Sequence, residues 1–587
     1  MGRSFRRGTP RALALAISCA LAGPAVANPN GPSVVSGQAT FATQGKGLTV
    51  SNTPGAIIRW QGFSIAHDEF TRFVQQSSLS SVLNRVVGGS PSEILGRLSS
   101  NGRVFLINPS GIAFGAGATI DVGGLVASTL HLSDSDFLSG RLRFSGNGSE
   151  GAIVNRGEIV TPAGGSVYLV APQIENSGLI HAPSGEVVLA AGSSVRLLDA
   201  AFPSIQVEVS APSDRSVSLG DLAGAGSGKV FAFLVRNSGV VSASAAVGSG
   251  GRVALKSAGN LEVAGGSRID ANGPVAGTIA LQAAEVALVA GAIEARASAG
   301  TGGSVTIESA RVVVEPSATI NVSGSAGGGE VAILGTDLAH FAGAIEARAE
   351  LSGDGGKVEV SGKQALEFAG NVDTRALGGG NDGELLLDPA RITIVAGSTG
   401  VPPALGDAAW MIAEDLGSRT LGALDLAALL ATTSVTLQAS EKITIAAGAD
   451  IVAAPTAPRT LTLQAPDIDI QAAIRSNAAP VNLVLDAGAG RVTVAQQADL
   501  RLAGGTLRVA AQAVNVAPAH RPEPEVALAR AAEPGAELIR MRAEIEAELA
   551  RDRERVAAAM QLACRAPTTL RQGCNISTAP KRPSFGV

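Results

Sequence analysis

Between residues 269 and 376 an apolar residue, a polar one and a small one return as a unit, with alternating apolar and polar positions between the returns. The units read Ile269-Asp-Ala-Asn-Gly-Pro, Ile293-Glu-Ala-Arg-Ala, Ile320-Asn-Val-Ser-Gly, Ile345-Glu-Ala-Arg-Ala and Val372-Asp-Thr-Arg-Ala, at intervals of 24, 27, 25 and 27 residues. Gly-Ala-Ile-Glu-Ala-Arg-Ala occurs twice, from Gly291 and from Gly343. Glycine pairs such as Gly302-Gly303 and Gly355-Gly356 lead into the alternating segments Ser304-Val-Thr-Ile-Glu308 and Lys357-Val-Glu-Val-Ser361. A period of two predicts strands with one buried face. A unit this short cannot bury that face alone, so it must stack on its neighbours. The pattern therefore predicts a parallel β-helix with one coil per repeat.

The same reading extends outward from the regular stretch. Ile153-Val-Asn-Arg-Gly157, Ile174-Glu-Asn-Ser-Gly178 and Leu234-Val-Arg-Asn-Ser-Gly239 place asparagine at 155, 176 and 237, intervals of 21 and 61 residues. The longer interval predicts about three coils. Asn-X-Gly suits a tight bend, because both residues tolerate the left-handed backbone region. Residues 28 to about 150 are less regular and predict an amino-terminal cap over the open core. Toward the other end, residues 413–431 predict a short helical excursion with Leu416, Leu421, Leu424, Leu426 and Leu429. Strands resume at Val435-Gln438, Ile443-Ile445, Leu461-Gln464, Val481-Leu485, Arg491-Val494 and Thr506-Val509. Some twenty coils at ~4.8 Å each predict a rod roughly 100 Å long. Residues 211–515 form the repeat region, and the proline-rich piece 516–534 reads as a linker. In 535–587, Leu538, Met541, Ile545, Leu549, Val556 and Met560 make a helical apolar stripe. That helix has three readings: a cap on the rod, self-association, or docking to a partner.

Composition narrows these readings. Aromatic residues are 3% and Tyr168 is the single tyrosine, while glycine numbers 73, which suits a narrow interior of Val, Ile, Leu and Ala. Mean hydropathy of +0.27 with 16% charged residues disfavours disorder. Residues 1–27 read as a signal peptide: Arg3, Arg6, Arg7 and Arg11, an apolar run from Ala12 to Ala22, then Ala25-Val26-Ala27. That predicts export by the Sec machinery. Removing those four arginines takes the formal net charge from −5 to −9, which argues against a nucleic-acid partner. Two cysteines remain, Cys564 and Cys574, and in an oxidising compartment they are expected to close a disulfide loop in the tail.

Asn84-Arg-Val-Val-Gly-Gly-Ser-Pro-Ser-Glu-Ile-Leu-Gly96, Ser100-Asn-Gly-Arg-Val-Phe-Leu-Ile-Asn-Pro-Ser-Gly-Ile-Ala-Phe-Gly115 and Ala118-Thr-Ile-Asp-Val-Gly-Gly-Leu-Val-Ala-Ser128 form one long ordered string. It resembles the haemagglutination-activity domain of filamentous-haemagglutinin-like exoproteins, the two-partner secretion family of Gram-negative bacteria, over about residues 28–210. The resemblance implies that the parallel β-helix is right-handed and that its amino-terminal domain is a secretion signal; with the cap and the short carboxy-terminal helix read above, the expected class is all-β. The resemblance also implies export through a dedicated outer-membrane β-barrel transporter to the cell surface or medium, and an adhesin-type role toward an unidentified surface receptor. The family's Asn-Pro-Asn-Gly-Ile hallmark stands here as Asn108, Pro109, Ser110, Gly111 and Ile112. This is turn chemistry, and the turn either registers adjacent coils or is itself read by the transporter. A second hallmark, Asn-Pro-Asn-Leu, is replaced by Asn84-Arg-Val-Val. Some surface-retained relatives end in a cysteine pair, which gives Cys564 and Cys574 a tethering reading beside the local staple.

Catalytic chemistry is sparse. His67, His131, His181, His340 and His520 lack metal-ligand spacing, and no cofactor motif is present. Asp354 and Glu359 are the carboxylates that could pair on one face, as in polysaccharide-cleaving β-helices. The expectation is therefore a non-enzymatic adhesin or haemagglutinin, with a polysaccharide-cleaving β-helix as the competing reading.

Overall fold

The computed structural model describes residues 28–146, 150–197, 233–399 and 420–516, together with the backbone of strands Val207–Ser210 and Ala527–Leu528. The signal segment, Leu416, the apolar stripe 538–560 and Cys564 and Cys574 lie outside the described residues; within the piece read as a linker, Val516 ends a strand and Ala527–Leu528 pairs in parallel with Leu507–Ala510, continuing the solenoid. The chain winds as a parallel β-solenoid of about 16 turns, or roughly 75 Å at the spacing of neighbouring strands. The expected twenty coils and 100 Å were too many. The excess came from counting loop excursions as coils.

One face runs without interruption through the molecule. Ala56–Trp60 pairs in parallel with Ser81–Val86, and the pairing passes through Ser166–Ala171, Glu186–Ala191, Arg252–Ser257, Thr278–Ala283, Lys357–Gly362, Glu384–Pro389 and Ser434–Gln438 to Leu507–Ala510. The repeat anticipated between 269 and 372 is one column of a second face: Ile269, Ile293, Ile320, Ile345 and Val372 lie directly beneath one another. All five are buried, and a single apolar core follows the axis from Leu48 to Val509. Parallel strands joined by coil connections place like residues over like, so alternating positions feed this core.

Parallel coils begin at Gly47–Asn52, which pairs with Phe70–Val74, and not at residue 151. The cap is confined to two antiparallel strands, Ser33–Ser36 on Ala56–Trp60 and Ala39–Gln44 on Gly47–Asn52. The first coils gather large rings: Trp60, Phe63 and Phe73 are fully buried, with Phe41 edge-on to Trp60 at 5.6 Å; much farther along, Phe341 stacks on Phe368 at 5.2 Å.

An element with no counterpart in the expected architecture lies on the outside. His131–Leu132, Leu142–Ser145, Ser194–Leu197 and Val207–Ser210 form an antiparallel sheet. A short helix, Asp134–Leu138, precedes its second strand, and the Ser133 hydroxyl caps that helix by accepting from the Asp136 N–H at 3.0 Å. This sheet covers outward-facing Ile57, Leu83, Phe105, Val126, Tyr168 and Val188, giving a second apolar cluster. Each such side chain removed from water contributes about 1.5–3 kcal/mol. Strands under it are buried on both faces, which is why Ser166–Ala171 reads Ser-Val-Tyr-Leu-Val-Ala without alternation. Near the other end, a helix at Ala423–Leu429 falls within the expected excursion and buries Leu426 and Leu429.

Asn155, Asn176 and Asn237 occupy three successive coils, since Ile174–Asn176 pairs with both Ile153–Asn155 and Phe233–Asn237. The 61-residue interval is thus one coil plus an excursion, not three coils. The three side chains are fully buried and form a ladder: Asn155 Nδ2 donates to Asn176 Oδ1 and Asn176 Nδ2 to Asn237 Oδ1, both at 2.8 Å. Their glycine partners are not left-handed. A Cβ on Gly178 would stand 2.2 Å from the Gly157 carbonyl oxygen, and one on Gly239 2.2 Å from that of Gly178. Close approach of stacked backbones, and not a positive φ, is what demands glycine there.

Candidate functional site

The motif at 108–112 is a turn between strands Arg97–Ile107 and Ile112–Phe114. The Asn108 side chain is fully buried and organises it. Its Oδ1 accepts from the Ser110 N–H at 3.0 Å, and its backbone carbonyl accepts from the Gly111 N–H at 3.1 Å. Its Nδ2 donates to the Ser90 carbonyl at 3.1 Å and to Ser92 Oγ at 2.9 Å, reaching back to the preceding coil. Pro109 presets the first corner of the turn. Gly111 closes it with φ +119°, a conformation costly for any other residue.

Neighbouring coils hold the turn from both sides. The Ser92 N–H donates to the Gly111 carbonyl at 3.0 Å, the Gly151 N–H to the Pro109 carbonyl at 2.8 Å and the Ile112 N–H to the Ala152 carbonyl at 3.1 Å. Ile112 points into the core. Only Pro109 is exposed and Ser110 half-exposed, so the surface offered to another molecule is two residues wide.

Asn84, at the place of the substituted second hallmark, is also buried. Its Oδ1 accepts from Trp60 Nε1 at 3.0 Å and its Nδ2 donates to the Phe105 carbonyl at 3.2 Å, joining three coils. Beside it, Arg85 pairs with Asp134 and donates to the Leu132 carbonyl, pinning the outer sheet to the solenoid. Under that sheet the Tyr168 hydroxyl donates to Glu186 at 2.7 Å. Burial, followed by the charge of Glu186, pushes the phenol above its ordinary range, and burial raises the Glu186 carboxyl as well. Hydroxyl and amide positions alone carry no signal of these contacts; the partner coil has to be known.

The carboxylates weighed for catalysis do not come together. Asp354 accepts from the Asn381 backbone N–H at 2.7 Å on a coil corner. Glu359 lies on strand Lys357–Gly362, where its acidic neighbour is Asp388 of the next coil. His67 and His131 are exposed, His181 is half-buried, His340 bonds Glu367 at 2.8 Å and His520 lies outside the described residues. Among the described residues no three His, Cys, Asp or Glu side chains are grouped to hold a metal. No described helix is long and apolar enough to cross a membrane.

On another face a charged ladder follows the repeat. Arg268 bridges Asp270 and Glu294 at 2.9 Å each, Arg348 contacts Glu346 at 2.8 Å and Asp373 at 3.3 Å, and Arg375 meets Asp373 at 2.6 Å. Burial raises the Asp373 carboxyl, but hydrogen bonds from Arg375 and the charges of Arg375 and Arg348 outweigh it and hold the group below its ordinary range.

A family model described as the TPS secretion domain matches residues 25–270, the stretch that holds the cap, the turn at 108–112, the asparagine ladder and the outer sheet. Residues 25–270 are thus similar to the secretion domain of two-partner secretion exoproteins. A heme/hemopexin-binding protein of Haemophilus influenzae strain Rd is 35% identical over 179 residues, 28% of this chain and 19% of that protein. A second heme/hemopexin-binding protein of Haemophilus influenzae is 42% identical over 77 residues, 13% of this chain and 8% of that protein. The matched stretches therefore span less than a fifth of these relatives' own length. Among solved structures, the HMW1 secretion domain from Haemophilus influenzae superposes with a TM-score of 0.53 at 26% identity, covering 62% of this chain and 95% of that one. The match to a secretion domain and the likeness to a solved one both accord with the solenoid.

Proposed function

We propose that this exoprotein crosses the inner membrane by the Sec route and the outer membrane through a dedicated β-barrel transporter. It then acts as an adhesive rod, at the surface of a Gram-negative cell or released from it. The observation that carries the export reading is the match of residues 25–270 to a secretion domain whose first coils are closed by their own antiparallel cap. A chain emerging amino-terminus first can complete that cap and the aromatic plug behind it, after which each coil finds a finished edge to pair with. Coil-by-coil growth suits threading, since stability in a solenoid comes from nearest-neighbour interfaces.

Within that reading, Pro109 and Ser110 are the recognition surface and Asn108, Gly111 and Ile112 its scaffold. The test is secretion in a strain carrying the cognate barrel. A Pro109→Ala/Ser110→Ala double variant should accumulate in the periplasm while unfolding at the unaltered denaturant concentration. Removal of residues 100–130 should abolish release altogether. Normal release of the deletion would contradict the secretion role, and normal release of the double variant would return the turn to a purely structural one. Adhesion is supported by the long polar faces of a rod; it is tested by binding of the purified chain to host cells, bacteria and abiotic surfaces. A tether through Cys564 and Cys574 is tested by Cys564→Ser/Cys574→Ser, which should shift protein from cells to medium.

A further inference from the structure

A cleft of about 510 Å³ runs along the rod outside the secretion domain, across strands Thr278–Ala283, Ser304–Val314, Glu330–Phe341, Lys357–Gly362 and Glu384–Pro389. Register places Gln282, Glu308, Leu334, Ser361 and Asp388 in one outward column. Glu359 stands in the adjacent column and Lys363 at the rim. Five strands at the sheet spacing span roughly 19 Å. Donors and acceptors alternate along that length: the Gln282 amide bonds Glu308 at 3.3 Å and the Ser361 hydroxyl bonds Glu359 at 2.7 Å.

Two features mark the cleft as unfinished without a ligand. Carboxylates on the Arg268–Arg375 face are matched with arginines, whereas Glu359 and Asp388 have no ion pair among the described residues. Asp388 is held above its ordinary range by burial and then by the charge of Glu359.

We propose that this cleft binds a neutral oligosaccharide lying along the rod axis. A polyhydroxylated chain offers these residues complementary groups: hydroxyl donors for Glu308, Glu359 and Asp388, and acceptors for the Gln282 amide and Lys363. Sulfated or uronate sugars would meet the carboxylates with like charge, and a polyamine would meet Lys363 with like charge and leave the amide and hydroxyls unused. The cleft has no aromatic platform, so single-site affinity is weak and the contact gains strength only when many rods engage one surface. The inference does not rest on the export reading, because it is tested on purified protein.

The experiment presents the purified full chain to an array of neutral glycans, with heparin hexasaccharide and spermidine as competitors of the other two chemistries, and follows hits by calorimetry. At least one neutral glycan should bind, and Gln282→Ala/Asp388→Asn should weaken it about tenfold or more with an unchanged circular dichroism spectrum and unfolding midpoint. Thr460→Ala, on the same face but outside the cleft, should leave binding intact. Absence of any neutral hit, binding only of heparin or spermidine, or undiminished binding by the double variant would overturn the assignment.

Discussion

Replacing Asn176 by alanine cuts the buried ladder at its centre. In the native chain Asn176 Oδ1 accepts from Asn155 and its Nδ2 donates to Asn237, both at 2.8 Å, with no water access to any of the three side chains. The substitution leaves Asn155 Nδ2 with only a 3.5 Å contact to the Leu179 carbonyl, and Asn237 Oδ1 loses its donor. Each orphaned polar group costs about 1–3 kcal/mol, so the loss should be roughly 2–6 kcal/mol. Asn237→Ala, at the ladder's end, orphans only the Asn176 amide and should cost about half as much. Asn176→Asp keeps the shape but sets acceptor against acceptor at Asn237 and buries a charge, so at neutral pH it should do no better than alanine. Because solenoids need not unfold in one step, the assay is urea unfolding read together with amide hydrogen exchange at Ser177, Gly178, Ser238 and Gly239, whose N–H groups bond the preceding coil. Arg391→Ala, which removes an exposed pair with Glu441, is the control and should shift stability by less than ~1 kcal/mol. If Asn176→Ala matches that control in both readouts, the ladder does not hold these coils together.

Three further outcomes follow from buried charge. Arg459 is buried against Asp382 where the chain returns from the excursion carrying the helix, so Asp382→Ala, which strands the guanidinium, should cost about 3–5 kcal/mol; Arg459→Met/Asp382→Ala should recover much of that in the same denaturant titration. For pH, Asp373 is depressed in the folded chain, so its contribution is present above the ordinary carboxylate range and lost as pH falls through the lower folded value; Asp373→Asn should therefore destabilise at pH 7 and not in strong acid. Glu315 is raised, chiefly by burial, so its charge opposes folding above its folded value and ceases to do so once pH falls below the ordinary range; Glu315→Gln should stabilise at pH 7, and that gain should vanish in acid. Melting temperatures of the two variants against the unaltered chain at both pH values check the opposite signs.

The central coils were legible because each carries one buried face. Ile269, Ile293, Ile320, Ile345 and Val372 announce their column through spacing alone, and the structure stacks them in that order. The amino-terminal coils hid the same architecture. With the outer sheet covering them, Ala56–Trp60 and Glu186–Ala191 are apolar on both faces, and a period of two disappears. The outer sheet was itself invisible, because antiparallel strands in an excursion look like coil strands until their partners are known. That one omission accounts for the misplaced start of the solenoid, the miscounted interval between Asn176 and Asn237, and the overestimated length. At the turn, the motif identified the residues and their backbone chemistry, while the burial of Asn108 and the narrowness of the exposed tip depended on coils before and after it.

Where the outer cover ends bears on how the rod divides its work. One outward column runs Ile57, Leu83, Phe105, Val126, Tyr168, Val188 and Ala254, apolar throughout and buried beneath the sheet. Continued through the same register it becomes Ala280, Thr306, Ala332 and Glu359. Two residues along, Val170 and Ala190 give way to Lys256, Gln282 and Glu308. The second change, at Lys256, falls within one coil of residue 270, where the match to the secretion domain stops, and the first reaches a polar residue at Thr306, in the second coil beyond. A solenoid does not need a different outer face at that point for its core to continue, since the interior column passes through unchanged at Val253, Ile279 and Val305. The switch is therefore a property of the surface. Coils that form the secretion domain keep an apolar exterior under their own excursion, and those beyond it turn the same columns into a polar groove open to solvent.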